Sequence, residues 1–255
     1  MGASPAAAPS PRLGLSGARW PTIEDDPPLV LVPLGSLEQH GPHLPLATDA
    51  IVACAATQEV ARRLDAAGVR VLVAPTLSYG ASGEHEDFPG TISIGREALL
   101  LQLVELGRSA CRWASGLVFV NGHGGNVDTL VDAVTCLRFE GRPVAWTACR
   151  TLGGDAHAGS TETSLLRHLA PWAVRVDLAE AGAVEPVEEL MPRLRSVGVR
   201  TVSPNGILGD ATVSSAEEGR MLFTTVVDRL HRELSLRDVG PDGRLCLGAA
   251  SGVGQ

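Results

Sequence analysis

The chain has 255 residues, 44% of them hydrophobic, with a formal charge of −8 at neutral pH. That length and apolar content suit one globular domain with a sizeable core, while the acidic balance argues against a nucleic-acid binder, whose footprint is a basic stripe. All 21 basic residues are arginine, which excludes any chemistry that needs a lysine, from Schiff bases to a phosphate-binding P-loop.

Residues 1–27 are rich in Ala, Pro, Ser and Gly but lack the charged start and apolar run of a secretory signal, so a mobile arm is expected there. Four short apolar runs follow: "LVLVPL" (29–34), "VRVLVAP" (69–75), "LVFVNG" (117–122) and "VAWTAC" (144–149). Each reads as a buried strand. Helical patterns over 50–67, 96–114 and 126–140 lie between them, with Gly68, Gly116 and Gly141 at the expected stops. A further helix is expected near Thr161 and a longer one over 214–234, where "SSAEEG" offers serine caps followed by glutamates. The Gly-rich segment 236–255 reads as a C-terminal tail. Strand–helix alternation with unbroken apolar strands predicts a single α/β domain over 28–235, a mainly parallel sheet with helices on both faces.

The five cysteines, Cys54, Cys111, Cys136, Cys149 and Cys246, form no C-x-x-C pair. Reduced thiols in a cytoplasmic protein are the expectation. The sequence holds no run of 18 apolar residues, so no membrane span is expected.

The polar residues gather after the strands. "GSLEQHGPHLPLATD" (35–49) follows the first, "SYGASGEHEDFPGT" (78–91) the second, "NGHGGN" (121–126) the third and "GGDAHAGSTETS" (153–164) the fourth. In open α/β sheets ligands bind outside the carboxyl ends of the strands, so all four clusters converge on one edge. Glu38 and His40, two apart in extended chain, point the same way. Asp49 stands at a helix start, where it could either cap the helix or bridge cations. His123 lies between glycines that let backbone approach a ligand, or that simply make a turn. Glu162 is either a first-turn helix acid or a ligand, and His157 is a candidate proton shuttle. His85 and Glu86 are candidate substrate contacts, with a solvated loop as the plain alternative.

Together, Glu38, His40, Asp49, His123 and Glu162 make two histidines and three carboxylates, a set that suits two divalent metals sharing a bridging aspartate. Nitrogen and oxygen donors without sulfur favour Zn, Fe or Mn. Such a pair lowers the pKa of a shared water and clamps a carbonyl oxygen, which suits hydrolysis of an amide-like bond.

The segments "PLGSLEQHGPHLPLATD", "GEHEDFPGTIS", "VNGHGGN" and "HAGSTETS" resemble the hallmark segments of the creatininase (creatinine amidohydrolase) family, in order over about residues 28–235. The resemblance implies a creatininase-like α/β fold, a dinuclear metal centre, hydrolysis of C–N bonds, and homo-oligomeric rings, often hexamers. Carried over by position, it implies that Glu38 and His123 hold one metal, His40 the other, that Asp49 bridges both, and that His157 acts near the leaving group. It also marks two departures. A ligand glutamate two residues after the histidine of the family's N-G-H motif is replaced here by Gly125, with Glu162 the implied substitute. The tryptophans that close over creatinine are missing from the segment before His157, which implies a roomier site.

"YGASGEHEDFPGTISIG" and "LVELGRSACRWASGLVFVNGHGGN" are most similar to the branch of that family formed by the peptidases of mycofactocin biosynthesis. That branch implies a modified precursor peptide as substrate and release of its C-terminal Val–Tyr-derived unit. Two other expectations stand beside it: hydrolysis of a small cyclic amide or formamide of the creatinine type, and a non-catalytic metal-binding oligomeric scaffold.

Overall fold

The strands are apolar without alternation because both faces of the sheet are covered. In the computed structural model, which describes residues 12–247 except Leu152, the chain runs α1 (Trp20–Glu24), β1 (Leu29–Leu34), α2 (Thr48–Ala66), β2 (Val71–Val73), α3 (Gly95–Ala110), β3 (Gly116–Asn121), α4 (Val127–Phe139), β4 (Val144–Ala148), α5 (Ser160–Leu169), α6 (Val187–Val202), α7 (Ala216–Leu236), β5 (Asp238–Val239) and β6 (Leu245–Cys246). The first four strands form one parallel sheet in the order β2-β1-β3-β4. Successive residues of β1 feed opposite cores. Leu29 and Leu31 pack with Val60 and Leu64 of α2, Leu166 of α5 and Leu230 of α7. Val30, Val32 and Leu34 pack with Leu99 and Leu103 of α3 and Leu130 and Leu137 of α4.

Two glycine stops hold and one does not. Gly68 and Gly141 take positive φ directly after α2 and α4, where an unbranched backbone ends a helix without strain. Gly116 instead opens β3, because α3 already ends at Ala110. The Ser215 hydroxyl accepts the Glu218 amide at 3.1 Å and caps α7 as its sequence suggests. Helix α6 carries no clear sequence signal, since Pro192 and a non-helical Gly198 interrupt its pattern.

The expected terminal boundaries also differ from the structure. Within the arm expected over 1–27, Leu13 is buried and its carbonyl accepts the Val73 amide at 2.8 Å, so the described part lies against the edge strand β2. Within the tail expected over 236–255, β5 and β6 pair as a hairpin beside β4, where the Trp146 amide donates to the Gly243 carbonyl at 3.1 Å. Composition suggested loose ends, and edge hydrogen bonds decide otherwise. Residues 1–11 and 248–255 lie outside the described residues.

Because β1 leads to β2 on one side and β3 lies on the other, the carboxyl ends of β1 and β3 flank a topological switch point, where α/β sheets open a ligand crevice. The first turn of α2 drops into that crevice between two glycines. A Cβ on Gly35 would come within 2.5 Å of the Ala50 amide nitrogen, and one on Gly122 within 2.6 Å of the Asp49 carbonyl oxygen. These close approaches let Asp49 reach below the strand ends. Gly122→Ala is therefore expected to cost about 1–3 kcal/mol, the usual penalty of overpacking, and to lower the melting temperature in a thermal scan. Gly124→Ala, which meets nothing within 4 Å, should leave it within about half a kcal/mol.

Candidate metal centre

Six side chains from three loops and the first turn of α2 meet at the crevice. Glu38, Gln39 and His40 leave β1 in extended chain, Asp49 comes from the first turn of α2, His123 from the loop after β3, and His157 from the loop before α5. All are buried, Glu38 and His40 completely. Asp49 does not cap its helix: no side-chain cap bond forms at the α2 start. Its carboxylate is spent on the crevice instead. Oδ1 lies 3.3 Å from His40 Nε2, and Oδ2 lies 3.4 Å from His123 Nδ1.

Two triads share that aspartate. Glu38, Asp49 and His123 form one, with Glu38 Oε1 3.2 Å from His123 Nδ1. His40, Asp49 and Glu162 form the other, with Glu162 Oε2 3.8 Å from His40 Nε2. Glu162 also accepts the Ala158 amide at 2.6 Å, so it serves the helix start and the crevice together. A third grouping, Glu38, His40 and His157, overlaps both.

Neighbouring groups fix the orientation of each donor. The His40 Nδ1–H faces its donor-free neighbour, the Glu38 carbonyl, at 3.1 Å, which turns Nε2 into the crevice. His123 Nε2 lies 3.1 Å from the Ala81 carbonyl, which leaves Nδ1 inward. His157 Nε2 lies 2.8 Å from the Gln39 carbonyl, which makes Nε2 the protonated nitrogen and Nδ1 the bare one, 3.7 Å from Glu38 Oε1. Ser82 donates to Glu38 Oε2 at 2.5 Å and is itself bonded to Ser36. Ligand orientation by outer hydrogen bonds of this sort is how metal sites are held.

Burial opposes charge throughout the cluster, and at Glu38, His40 and His123 neighbours overrule it. Glu38 is held well below the usual carboxylate range: burial raises it, but His123, His85 and His40 outweigh that cost. Burial lowers His40 and His123, yet Asp49, Glu162 and Glu38 push the first up to about 10, and Glu38, Asp49 and Glu84 push the second up to about 10. Burial and then Glu38 raise Asp49 to about 6. His157 goes the other way, to about 4, through burial and the neighbouring His40. The crevice thus demands positive charge, and two imidazoles hold protons to supply it.

The residues fit divalent cations on a specific ground. Glu38 Oε1 and Asp49 Oδ2 are buried oxygens with no hydrogen-bond donor, each facing His123 Nδ1. A buried carboxylate oxygen left bare is costly unless a cation meets it.

The remaining sequence candidates divide. His85 lies inside the cluster, its Nε2 3.3 Å from Glu38 Oε1 and its Nδ1 2.9 Å from the Gln39 amide. Glu86 does not reach it. The single 3-10 turn Gly83–His85 fans successive side chains apart, so Glu86 is exposed and Glu84 instead approaches His123 Nε2 at 3.6 Å. A side chain at Gly125 would collide with the His123 ring, the Ala81 carbonyl and the Glu84 carboxylate as they are packed here. Sequence reasoning passed over Gln39, whose amide also donates to the Gly206 carbonyl at 3.0 Å, and Asn126. Asn126 accepts the Ala81 amide at 2.9 Å and donates to the Gly35 carbonyl at 3.0 Å, tying three loops together. Both are uncharged, and their only sequence signal was position inside the polar segments.

A cavity of 330 Å³ opens beside the cluster, lined by Asp49, His123, Glu162, Trp146, Arg150 and Arg244 among others.

Comparison with known proteins agrees with this geometry. The creatininase family model, described as creatinine amidohydrolase, matches residues 16–234. A mycofactocin precursor peptide peptidase of Mycobacterium ulcerans is 53% identical over 222 residues, covering 86% of this chain and 89% of that protein. One of Mycolicibacterium smegmatis is 54% identical over 210 residues, covering 80% and 85%. The solved structure of a creatininase variant of Zn–Zn type superposes with a TM-score of 0.73 at 25% identity, over 89% of this chain and 99% of that one. The α/β domain built around this carboxylate–histidine crevice belongs to the creatininase family of amidohydrolases.

Proposed function

We propose that this amidohydrolase is a peptidase acting on a modified mycofactocin precursor peptide, releasing its C-terminal Val–Tyr-derived unit. The observation that carries the metal chemistry is the pair of bare buried oxygens, Glu38 Oε1 and Asp49 Oδ2, set against inward-turned histidines. The peptide reading is supported by relatives of that name that share more than half of the aligned residues with this chain. A cavity of 330 Å³ beside the cluster also supports it, being within the range of about 300–1,000 Å³ typical of ligand sites.

Glu38 and His123 would hold one divalent cation, His40 and Glu162 the other, and Asp49 would bridge them. Zinc, iron and manganese all accept this donor set. Cations held there would supply an acidified water and a polarised amide carbonyl. The protein's own groups then manage the proton. His157, neutral and bare at Nδ1, takes up the proton given off by the attacking water and returns it to the amine nitrogen as the C–N bond breaks. Its Nε2–H bond to Gln39 keeps the ring from turning away. His85, neutral and pushed down to about 2 by burial, lies beside the His157 ring, 4.4 Å between centroids, and would contact substrate.

Two further proposals accompany this one. The chain works in the cytoplasm, consistent with its five free thiols and with the absence, among the described residues, of any helix long and apolar enough to cross a membrane. It assembles as a homo-oligomeric ring, consistent with the exposure of Trp20, Phe139 and Trp172, large side chains that a partner copy would cover.

Asp49→Asn and His40→Ala are each expected to abolish metal loading, read by elemental analysis, and to reduce turnover of the precursor peptide by about a thousandfold or more. A fully active, fully loaded Asp49→Asn protein would remove the bridging role. Ser82→Ala frees Glu38 to swing, and a zinc titration should show affinity weakened by about 10–100-fold.

Metal removal also sets a pH dependence. In the metal-free protein the raised His40 and His123 lend stability that is complete below their unfolded value near 6.5 and is lost as pH climbs toward about 10. The depressed Glu38 contributes stability that is complete above its ordinary value of 4.5 and falls away only below it, so it adds no pH dependence in that window. Chelated protein should therefore lose thermal stability between pH 7 and pH 9. Metal binding must displace those protons, so zinc affinity should rise steeply over the same range. A flat stability profile for the chelated protein would contradict the charge balance described here.

A further inference from the structure

We propose that Arg150 and Arg244 form a carboxylate-binding subsite in the cavity beside the metal centre and grip an anionic group of the peptide substrate. The ligand class rests on the peptidase reading, but the subsite itself stands on the structure. Both arginines line the cavity that Asp49, His123 and Glu162 border. Among the described residues, neither guanidinium has a carboxylate within ion-pair distance, whereas Arg63, Arg108, Arg175 and Arg220 each do.

The nearby acids are already engaged. Glu233 pairs with Arg229 at 2.8 Å and accepts the Thr147 hydroxyl at 2.5 Å. Asp155, on the cavity wall, accepts the Ser160 and Thr161 amides at the start of α5. Asp242 accepts the Arg244 amide at 3.1 Å. The third arginine of this corner, Arg229, is likewise committed, to Glu233 and to the carbonyls of Ala148 and Arg150. Among the described residues, two cations therefore line one cavity with no carboxylate in ion-pair contact with either.

Arg244 is also held in place. The β5–β6 hairpin is fastened to β4 by the Trp146 amide and by the Trp146 indole, which donates to the Asp242 carbonyl at 3.0 Å. The guanidinium then lies over the indole ring, 5.3 Å from its centroid, in cation–π contact. Burial and the neighbouring Arg150 and Arg229 depress the Arg244 pKa against the opposing pull of Glu233 and Asp242, the direction expected of a cation with no carboxylate in contact. A planar guanidinium fork with no partner matches a carboxylate, and a peptide carries carboxylates in only two places, its C-terminus and its Asp or Glu side chains.

The test is equilibrium binding to the zinc-loaded enzyme, which requires no turnover. Acetyl-glycylglycine, with an α-carboxylate, is compared with its amide, and acetyl-aspartyl amide, with a side-chain carboxylate, with acetyl-asparaginyl amide. At least one acid should bind about tenfold or more tightly than its neutral twin, and the pair that discriminates identifies the source. The preference should collapse in Arg244→Gln and in Arg150→Gln and persist in Arg244→Lys, with zinc stoichiometry unchanged in all three. Equal binding of acid and amide by the wild type overturns the proposal. So does a preference that survives in the double glutamine variant, since the carboxylate is then held by the metal centre. Failure of the enzyme to cleave any precursor peptide would sink the peptidase reading alone, because the binding comparison still decides the subsite.

Discussion

Two carboxylates buried where no water reaches them set the terms for the rest of this molecule. Glu38 and Asp49 each turn an oxygen toward a point that no donor of the protein satisfies, in a medium where an uncompensated charge is worth many times its cost at the surface. The chain meets that cost with imidazoles, drawing His40 and His123 up to about 10. Protons are a provisional answer, because each is held by a single lone pair and leaves as pH rises. Divalent cations answer the same field with more charge at fixed positions. What is a liability in a structural ion pair, where burying charge stabilises little, becomes the source of affinity in a metal centre.

The fold places that charge through topology. A parallel sheet that reverses its order of growth after β1 leaves a crevice between the ends of β1 and β3, and α2 fills its mouth only because Gly35 and Gly122 have no side chains. The loops around the crevice are then fastened by uncharged groups. Asn126 joins the loops after β1, β2 and β3, Ser82 fixes one oxygen of Glu38, and Gln39 braces both its own loop and His85. A rigid frame of neutral hydrogen bonds lets the charged atoms be the unsatisfied ones.

This division explains what could be read from the sequence. Four apolar runs without alternation marked a sheet covered on both faces, and the polar clusters after them marked its carboxyl edge. Charged residues with metal-ligand chemistry stood out there at once, so the placement of Glu38, His40, Asp49, His123 and Glu162 in one crevice was legible. Ser82, Gln39 and Asn126 were not, because a serine or an amide in a loop has no spacing that separates a bracing role from solvation. Glu86 illustrates the limit within a motif: Glu84, His85 and Glu86 are adjacent in sequence, but a tight turn sends them in different directions. The ends were misjudged for another reason. Gly- and Pro-rich composition weakens local preference, yet an open sheet edge offers backbone partners that composition does not register, and both Leu13 and Gly243 take them.

The hairpin at the C-terminal edge also bears on how one metal crevice can serve different amides. Bond cleavage is determined by the cluster, which depends on residues at the strand ends. Recognition depends on the walls, and here one wall is built from β4 and the β5–β6 hairpin, elements that carry no metal donor. Trp146 lies at the join: its backbone receives the hairpin, its indole anchors Asp242, and its ring supports Arg244. A wall assembled this way can change its side chains without disturbing the carboxylate balance at the centre, because nothing in it shares a hydrogen bond with Glu38, Asp49 or their histidines. The cavity lining carries both signs of charge, carboxylates at Asp49, Asp155 and Glu162 and guanidiniums at Arg150 and Arg244. A lining of that kind orients an extended chain carrying an anionic group and offers nothing to a small neutral ring, which is the physical ground for reading a peptide into this site and not creatinine.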